Sequence, residues 1–392
     1  MSEATLPRRL TILGSTGSIG RSVLDVVRSL PDRFDVRALA ARANWRELAG
    51  QVREFSPKVV ALFDTTAAEE LRTHLAGEPV EVLAGEEGVV RVAEHGESDM
   101  VVSAIVGSAG LAPTLAAVRA QKSIALANKE TIVMAGELVM REAAKRGVEI
   151  LPVDSEHSAI WQAMSAGKPE EIARVIITGS GGPFRGLSSE ELAHVTPEQA
   201  LNHPTWQMGP KVTIDSATLM NKALEVIEAR LLFGLDVEQI EVLIHPESIV
   251  HSLVEFVDGS VVAQMSTPDM RGPIQYALTW PDRFECPAPR LRLSEVGELH
   301  FERPDVGRFP AVELGFEAAR RGGTAPAALS AANEVAVGTF LDGKLRFTDI
   351  ASVAAEVMKG HRFVERPTLD DVLEADRNAR AAAAKLTAQR GI

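Results

Sequence analysis

The chain has a single cysteine, Cys286, in 392 residues. That excludes an internal disulfide framework and fits a reducing compartment, with Cys286 as a small indifferent thiol. No apolar run approaches the length of a membrane span. Met1 to Arg9 is polar and contains Pro7, so no secretory h-region is expected there and the protein is expected in the cytoplasm. Positive charge is also short: the formal net charge is -13, which disfavours nucleic acid and anionic membrane surfaces as partners. Any phosphate site must then be local, made from a few Lys, His and backbone N–H groups. What is present is an ordinary globular composition, 45% hydrophobic, on a chain too long for one typical domain. Two or three domains are expected, without internal repeats.

Leu10 to Leu13 reads as a buried strand, and Gly14-Ser15-Thr16-Gly17-Ser18-Ile19-Gly20 follows at once. A helix from about Ser18 to Leu30 then carries Val23, Val26, Val27 and Leu30 on one face. Strand, Gly-rich turn and helix in that order form the first unit of a dinucleotide-binding fold. Gly14, Gly17 and the N–H groups of Thr16, Ser18 and Ile19 are the candidate pyrophosphate contacts. A second strand, Val36 to Ala40, runs into Ala41-Arg42-Ala43-Asn44 with no acid to hold a ribose 2′-hydroxyl. Arg42 suits a 2′-phosphate instead, which favours NADPH over NADH; the alternative is an exposed surface charge. Further parallel strands are expected at Val59 to Phe63, Met100 to Val106, Ser123 to Ala127 and Val148 to Leu151. Lys129, in Asn128-Lys129-Glu130, lies just past a strand's carboxyl end, where such sheets bind ligands, and is either a site residue or a surface lysine.

The next stretch, Val153-Asp154-Ser155-Glu156-His157, carries two carboxylates at i and i+2. On a strand end they point the same way and offer half of a site for a hard divalent cation; on a solvated loop they do nothing. Arg174 to Thr178 reads as a strand, followed by a Gly-rich loop, 179–186, that cannot be helical. The loop His203-Pro204-Thr205-Trp206-Gln207-Met208-Gly209-Pro210 has large apolar side chains on a Pro/Gly backbone, which is either a core tether or a substrate lid. Lys211 to Ile214 reads as a strand, with Asp215 capping a helix through Ser216, Asn221, Lys222 and Glu225 to Phe233. Spacing of three and four puts Asn221, Lys222 and Glu225 on one face, either as a phosphate and metal site or as an exposed ion pair. Val242 to Ile244, Ile249 to Glu255 and Ser260 to Met265 suggest a second sheet with a hairpin at Asp258-Gly259. Residues 287–312 lack periodicity and read as a linker, and the Ala-rich stretches beyond read as a helical bundle.

The Gly14–Gly20 turn, Asn128-Lys129-Glu130, Val153–His157, Thr178–Phe184 and His203–Gly209 together resemble 1-deoxy-D-xylulose 5-phosphate reductoisomerases. So do Ile214–Glu225, His245-Pro246-Glu247-Ser248-Ile249-Val250-His251 and Ala331-Ala332-Asn333-Glu334, all in family order. The resemblance implies an α/β protein: a Rossmann-like NADPH-binding domain (1–152), an α+β catalytic domain with a second sheet (153–286), a linker (287–312) and a C-terminal helical domain (313–392). It also implies a homodimer and a place in non-mevalonate isoprenoid synthesis. Asp154, Glu156 and Glu225 would hold Mg²⁺, Mn²⁺ or Co²⁺. Ser180, Ser216, Asn221 and Lys222 would hold the substrate phosphate, with His203 beside it. Ser155 and Lys129 would touch the sugar, Trp206 and Met208 form the lid, and His251 line the site. Arg42, Asn44, Asn128, Glu130, Gly209 and Met270 would sit around the cofactor, Met270 near the nicotinamide. The implied chemistry is a retro-aldol/aldol rearrangement followed by hydride transfer, with Lys129 or Glu156 moving protons and His203 and His251 beside the reacting atoms. Two other readings are a plain NADP-dependent dehydrogenase, which needs no metal carboxylates, and a catalytically silent NADPH-binding module.

Overall fold

The computed structural model of the chain describes residues 6–391. It divides into two compact units: one of residues 6–131, Val139–Asp154 and Asp269–Pro289, the other of Ile132–Leu138, Ser155–Pro268 and residues 290–391. Helix Lys129–Arg146 supplies stretches to both, and Ala135 inside it has non-helical backbone angles.

The first unit is built on seven strands: β1 (Arg8–Leu13), β2 (Phe34–Ala41), β3 (Val59–Leu62), β4 (Glu81–Ala84), β5 (Met100–Ser103), β6 (Ser123–Leu126) and β7 (Ile150–Pro152). They lie in the order β4-β3-β2-β1-β5-β6-β7, all parallel. Leu10, Ile12, Leu13, Val101, Val102 and Ile124 are fully buried, as continuous apolar runs in a parallel sheet should be. Strand order reverses between β1 and β5, which makes the carboxyl ends of these two strands the ligand crevice of the unit. The sequence pattern misses β4. It is a short edge strand only partly covered, so no apolar run marks it.

In the second unit β8 (Ile172–Gly179) pairs antiparallel with β10 (Val250–Phe256) and parallel with β9 (Ile240–Ile244). β10 turns at Gly259 (φ +84°) into β11 (Val261–Met265), the expected hairpin. Helix Met220–Phe233 carries Ala223, Leu224 and Ile227 into a core shared with Val175, Ile177, Leu329 and Phe340. Helix Ala311–Arg321 lies close upon it: a Cβ on Gly315 would stand 2.4 Å from the Ala223 Cα. Helices Ala325–Leu341, Phe347–Gly360 and Leu369–Arg390 complete the expected bundle. The stretch read as a linker is tied to the sheet by a bridge between Ile244 and Glu302.

Two local expectations are corrected. Residues 211–214 are not a strand: Pro210–Ala217 is a helix that starts on extended Gly209 with Pro at its first position. The β-branched run Val212-Thr213-Ile214 imitates a strand, but its burial satisfies a helix as well. Asp215 is therefore a fully buried residue inside that helix and not a cap, and Leu219 (φ +60°) separates it from helix Met220–Phe233. Likewise β7 stops at Pro152 and helix Ser155–Met164 starts at once, so Asp154 and Glu156 straddle a strand–helix junction and do not alternate along a strand.

Candidate active site

In the first unit the glycine turn is a close-packed cradle. Gly14 sits at φ +85°, where a Cβ would lie 2.5 Å from the Ala104 carbonyl oxygen. A Cβ on Gly20 would meet the Gly14 oxygen at 2.3 Å. Helix Ser18–Ser29 begins on Gly17 with no side-chain cap and no acid in its first turn. Its leading N–H groups and positive dipole end are thus open to a diphosphate. Ser15 Oγ, buried beside them, has no hydrogen-bond partner. Arg42 and Asn44 are exposed past β2; Asn44 also caps helix Trp45–Phe55 by accepting from the Glu47 N–H. These residues fit an NADP-type dinucleotide.

Asn128 is buried and caps helix Lys129–Arg146, while its amide donates to the carbonyls of Ile105 and Gly107 (3.0 Å to the latter). Its side chain thereby holds the β5 and β6 loops together at the crevice mouth. Glu130 is buried next to it, accepting from the same amide at 3.3 Å. Lys129 is buried too, and its ammonium donates to Asp154 Oδ2 at 3.0 Å. Met270, half-buried, opens helix Arg271–Thr279 in this unit.

The second unit collects the remaining candidates. Lys222, 5% exposed, donates to Glu156 Oε1 at 2.7 Å, Glu225 Oε2 at 2.6 Å and the Thr178 carbonyl at 2.8 Å. Its three ammonium protons have three acceptors. Burial alone would lower the Lys222 pKa; the two carboxylates outweigh it and hold the group above the ordinary lysine range. Asn221 donates to the other Glu225 oxygen, and Ser155 donates to Glu156. Two carboxylates in an oxygen-rich, partly buried cluster are suitable donors for a hard divalent cation.

In the loop before helix Pro210–Ala217, His203 Nε2 stands 3.0 Å from Ser180 Oγ and 3.1 Å from Ser216 Oγ. His203 Nδ1 accepts from the Thr205 and Trp206 N–H groups at 3.1 and 2.9 Å. Nδ1 is therefore bare and Nε2 carries the proton, aimed at the two serines. Burial, helped by Lys222, lowers the His203 pKa and favours this neutral form. A Cβ on Gly182 (φ +67°) would lie 2.8 Å from the Ser216 oxygen, so the Gly-rich loop presses on the helix that carries Ser216. Trp206 and Met208 are half-buried in the 203–210 loop, and the Trp206 ring stands 6.1 Å from that of His251. His251 is buried, pairs with Ser266 Oγ at 2.9 Å, and has its pKa lowered by burial. Gly209 is exposed at the loop's end.

This arrangement has a close match among known proteins. Family models described as 1-deoxy-D-xylulose 5-phosphate reductoisomerase and its C-terminal domains match residues 10–136, 150–233 and 265–382. The chain belongs to this family. The reductoisomerase of Prosthecochloris aestuarii is 53% identical over 97% of the chain and 100% of that protein. That of Heliobacterium modesticaldum is 54% identical over 95% and 96%. The solved structure of the Zymomonas mobilis reductoisomerase in complex with NADPH is similar with a TM-score of 0.91 at 45% identity, over 97% of this chain and 99% of that one. A reductoisomerase solved with NADPH, fosmidomycin and magnesium gives a TM-score of 0.93 at 41% identity, over 97% and 98%.

Sequence reasoning passed over His157 as a site-supporting residue. It is fully buried, its Nε2 donates to the Glu225 carbonyl at 3.1 Å, and its Nδ1 lies 4.0 Å from Glu228 Oε2. A lone His in an apolar helix gives no signal that it hydrogen-bonds the backbone of a candidate metal ligand 68 residues away.

Proposed function

We propose that this chain converts 1-deoxy-D-xylulose 5-phosphate to 2-C-methyl-D-erythritol 4-phosphate, as an NADPH-dependent reductoisomerase, with Asp154, Glu156 and Glu225 as its metal carboxylates. The observation that carries the site assignment is the single cluster in which Lys222 joins Glu156 to Glu225 while Ser180, His203 and Ser216 converge on one point. Asp154, two residues before Glu156 in the chain, adds the third carboxylate. When bound, the cation supplies Lewis acidity at the substrate's ketone and hydroxyl oxygens, and NADPH supplies hydride.

The chain's own residues orient and enclose. His203 Nε2–H and the Ser180 and Ser216 hydroxyls are donors for phosphate oxygens, with Asn221 and Lys222 exchanging a carboxylate bond for a phosphate one. Phosphate held away from the reacting carbons supplies binding energy for orientation. Ser155 contacts the sugar, and Lys129 or Glu156 moves protons within it. Trp206 and Met208 close over the substrate beside His251 and exclude water. Gly14, Thr16, Gly17, Ser18 and Ile19 hold the diphosphate, Arg42 and Asn44 the 2′-phosphate, and Asn128, Glu130, Gly209 and Met270 border the nicotinamide side. The working form is a cytoplasmic homodimer joined through the second sheet; the catalytic part and the helical tail, expected as separate domains, share one core.

The test is NADPH absorbance loss with 1-deoxy-D-xylulose 5-phosphate, with and without Mg²⁺ or Mn²⁺, repeated with NADH. Metal-dependent loss with NADPH and far less with NADH is the expected result. Reduction without metal would favour a plain dehydrogenase, and no turnover a silent binding module.

A further inference from the structure

Lys211, Asp215 and Asn333 form a polar chain that the reaction does not require by itself. Asp215 is fully buried within helix Pro210–Ala217. Its Oδ1 accepts from the Asn333 amide at 2.7 Å, and its Oδ2 pairs with the Lys211 ammonium at 2.7 Å. Asn333 is fully buried on helix Ala325–Leu341, and its own Oδ1 has no hydrogen-bond partner. A buried carboxylate beside an orphaned amide oxygen is a costly way to fill a core. Apolar residues of similar volume would stabilise the fold better.

The chain's position says what it gives in return. Lys211 is the second residue beyond the 203–209 loop, and Asp215 immediately precedes Ser216. The loop's other end is fixed by His203, whose Nε2 meets that same Ser216. Both ends of the loop therefore refer to one helical turn, and Asn333 locks that turn against the helical bundle. We propose that Lys211, Asp215 and Asn333 are positioning residues, which set the Ser216 hydroxyl and the base of the Trp206–Met208 lid for the substrate phosphate. This rests on the phosphate assignment made above.

Lys211→Met keeps the side chain's length and apolar stem and removes the ammonium. Steady-state kinetics with varied sugar phosphate and varied NADPH, inhibition by inorganic phosphate and thermal melting would be compared with wild type. The expected result is a KM for the sugar phosphate raised about tenfold, a phosphate inhibition constant raised in parallel, a KM for NADPH within about twofold, and recovery of most of the loss in Lys211→Arg. A lower melting temperature with an unchanged sugar-phosphate KM would overturn the inference, as would equal rises in both KM values. Should Lys211→Met not fold, Asn333→Ser leaves the ion pair and replaces the amide by a shorter hydroxyl; an unaltered sugar-phosphate KM in that variant would overturn it equally. Absence of turnover in wild type would instead overturn the function proposed above.

Discussion

Lys222→Met is the most informative substitution, because that ammonium bridges two carboxylates of which one, Glu225, is fully buried. Methionine fills the lysine stem's space against Gly179, whose Cβ would stand 2.8 Å from the Lys222 Cε, so packing changes little. What is lost is the charge. Removing one partner of a buried ion pair costs about 3–5 kcal/mol, since the remaining charge keeps its desolvation penalty without its compensation. For a unit of this size each kcal/mol shifts the melting temperature by roughly 2–4 °C, so a drop of about 6–20 °C is expected in chelator-treated protein. Mg²⁺ should restore more of the melting temperature in the variant than it adds to wild type, because a divalent cation neutralises the same two carboxylates. The assay is thermal melting of both proteins with chelator and over a Mg²⁺ titration. His203 gives an independent readout: Lys222 contributes to lowering its pKa, so its imidazole should titrate at higher pH in the variant, as followed by NMR. A melting temperature within about 2 °C of wild type without metal would refute the account of the buried charges. Equal Mg²⁺ shifts in the two proteins would refute the assignment of Glu156 and Glu225 to the cation.

Gly20→Ala places a methyl 2.3 Å from the Gly14 oxygen and 2.5 Å from the Ser15 Cα, both backbone, so the turn must open. NADPH affinity measured by fluorescence titration should fall about tenfold or more, with a stability loss of about 1–3 kcal/mol. Trp206→Ala removes the lid's ring from beside His251; turnover should drop ~10–100-fold while NADPH affinity holds, and wild-type turnover would sink the lid assignment. Burial holds the His251 pKa below that of an unfolded chain, so between pH 6.5 and the folded value the unfolded state binds more protons. Its contribution to stability is complete above about pH 6.5 and is lost as pH falls below it. Melting temperatures from pH 7.5 to 5.5 should fall less steeply in His251→Gln than in wild type, and parallel slopes would contradict the assignment.

The first unit was legible because its signals are local. A strand of Leu10, Ile12 and Leu13 running into Gly14 fixes a turn whose geometry only glycine accommodates, and the following helix shows one clean apolar face. β4 escaped because a short, part-exposed edge strand has no pattern to read. The helix at Pro210–Ala217 was misread for a deeper reason. Propensity favours a strand for Val212-Thr213-Ile214, but in the helix Lys211 and Asp215 pair four residues apart on one face, and Asp215 is bonded by Asn333, 118 residues away, a contact no local pattern announces. The identities of Glu156, Lys222 and Glu225 were visible as residue types, whereas their arrangement was not. Helical spacing alone allowed an exposed Lys222–Glu225 pair; only the carbonyl of Thr178 and the carboxylate of Glu156, both remote in sequence, turn that pair into a buried cluster. The same holds for His203, whose tautomer is set by two N–H groups of its own loop, while the serines it faces come from two other segments. Chemistry at this site therefore depends on segments brought together by packing, and a substitution such as Asn333→Ser, far from any reacting atom, is expected to register in the kinetics of the phosphate.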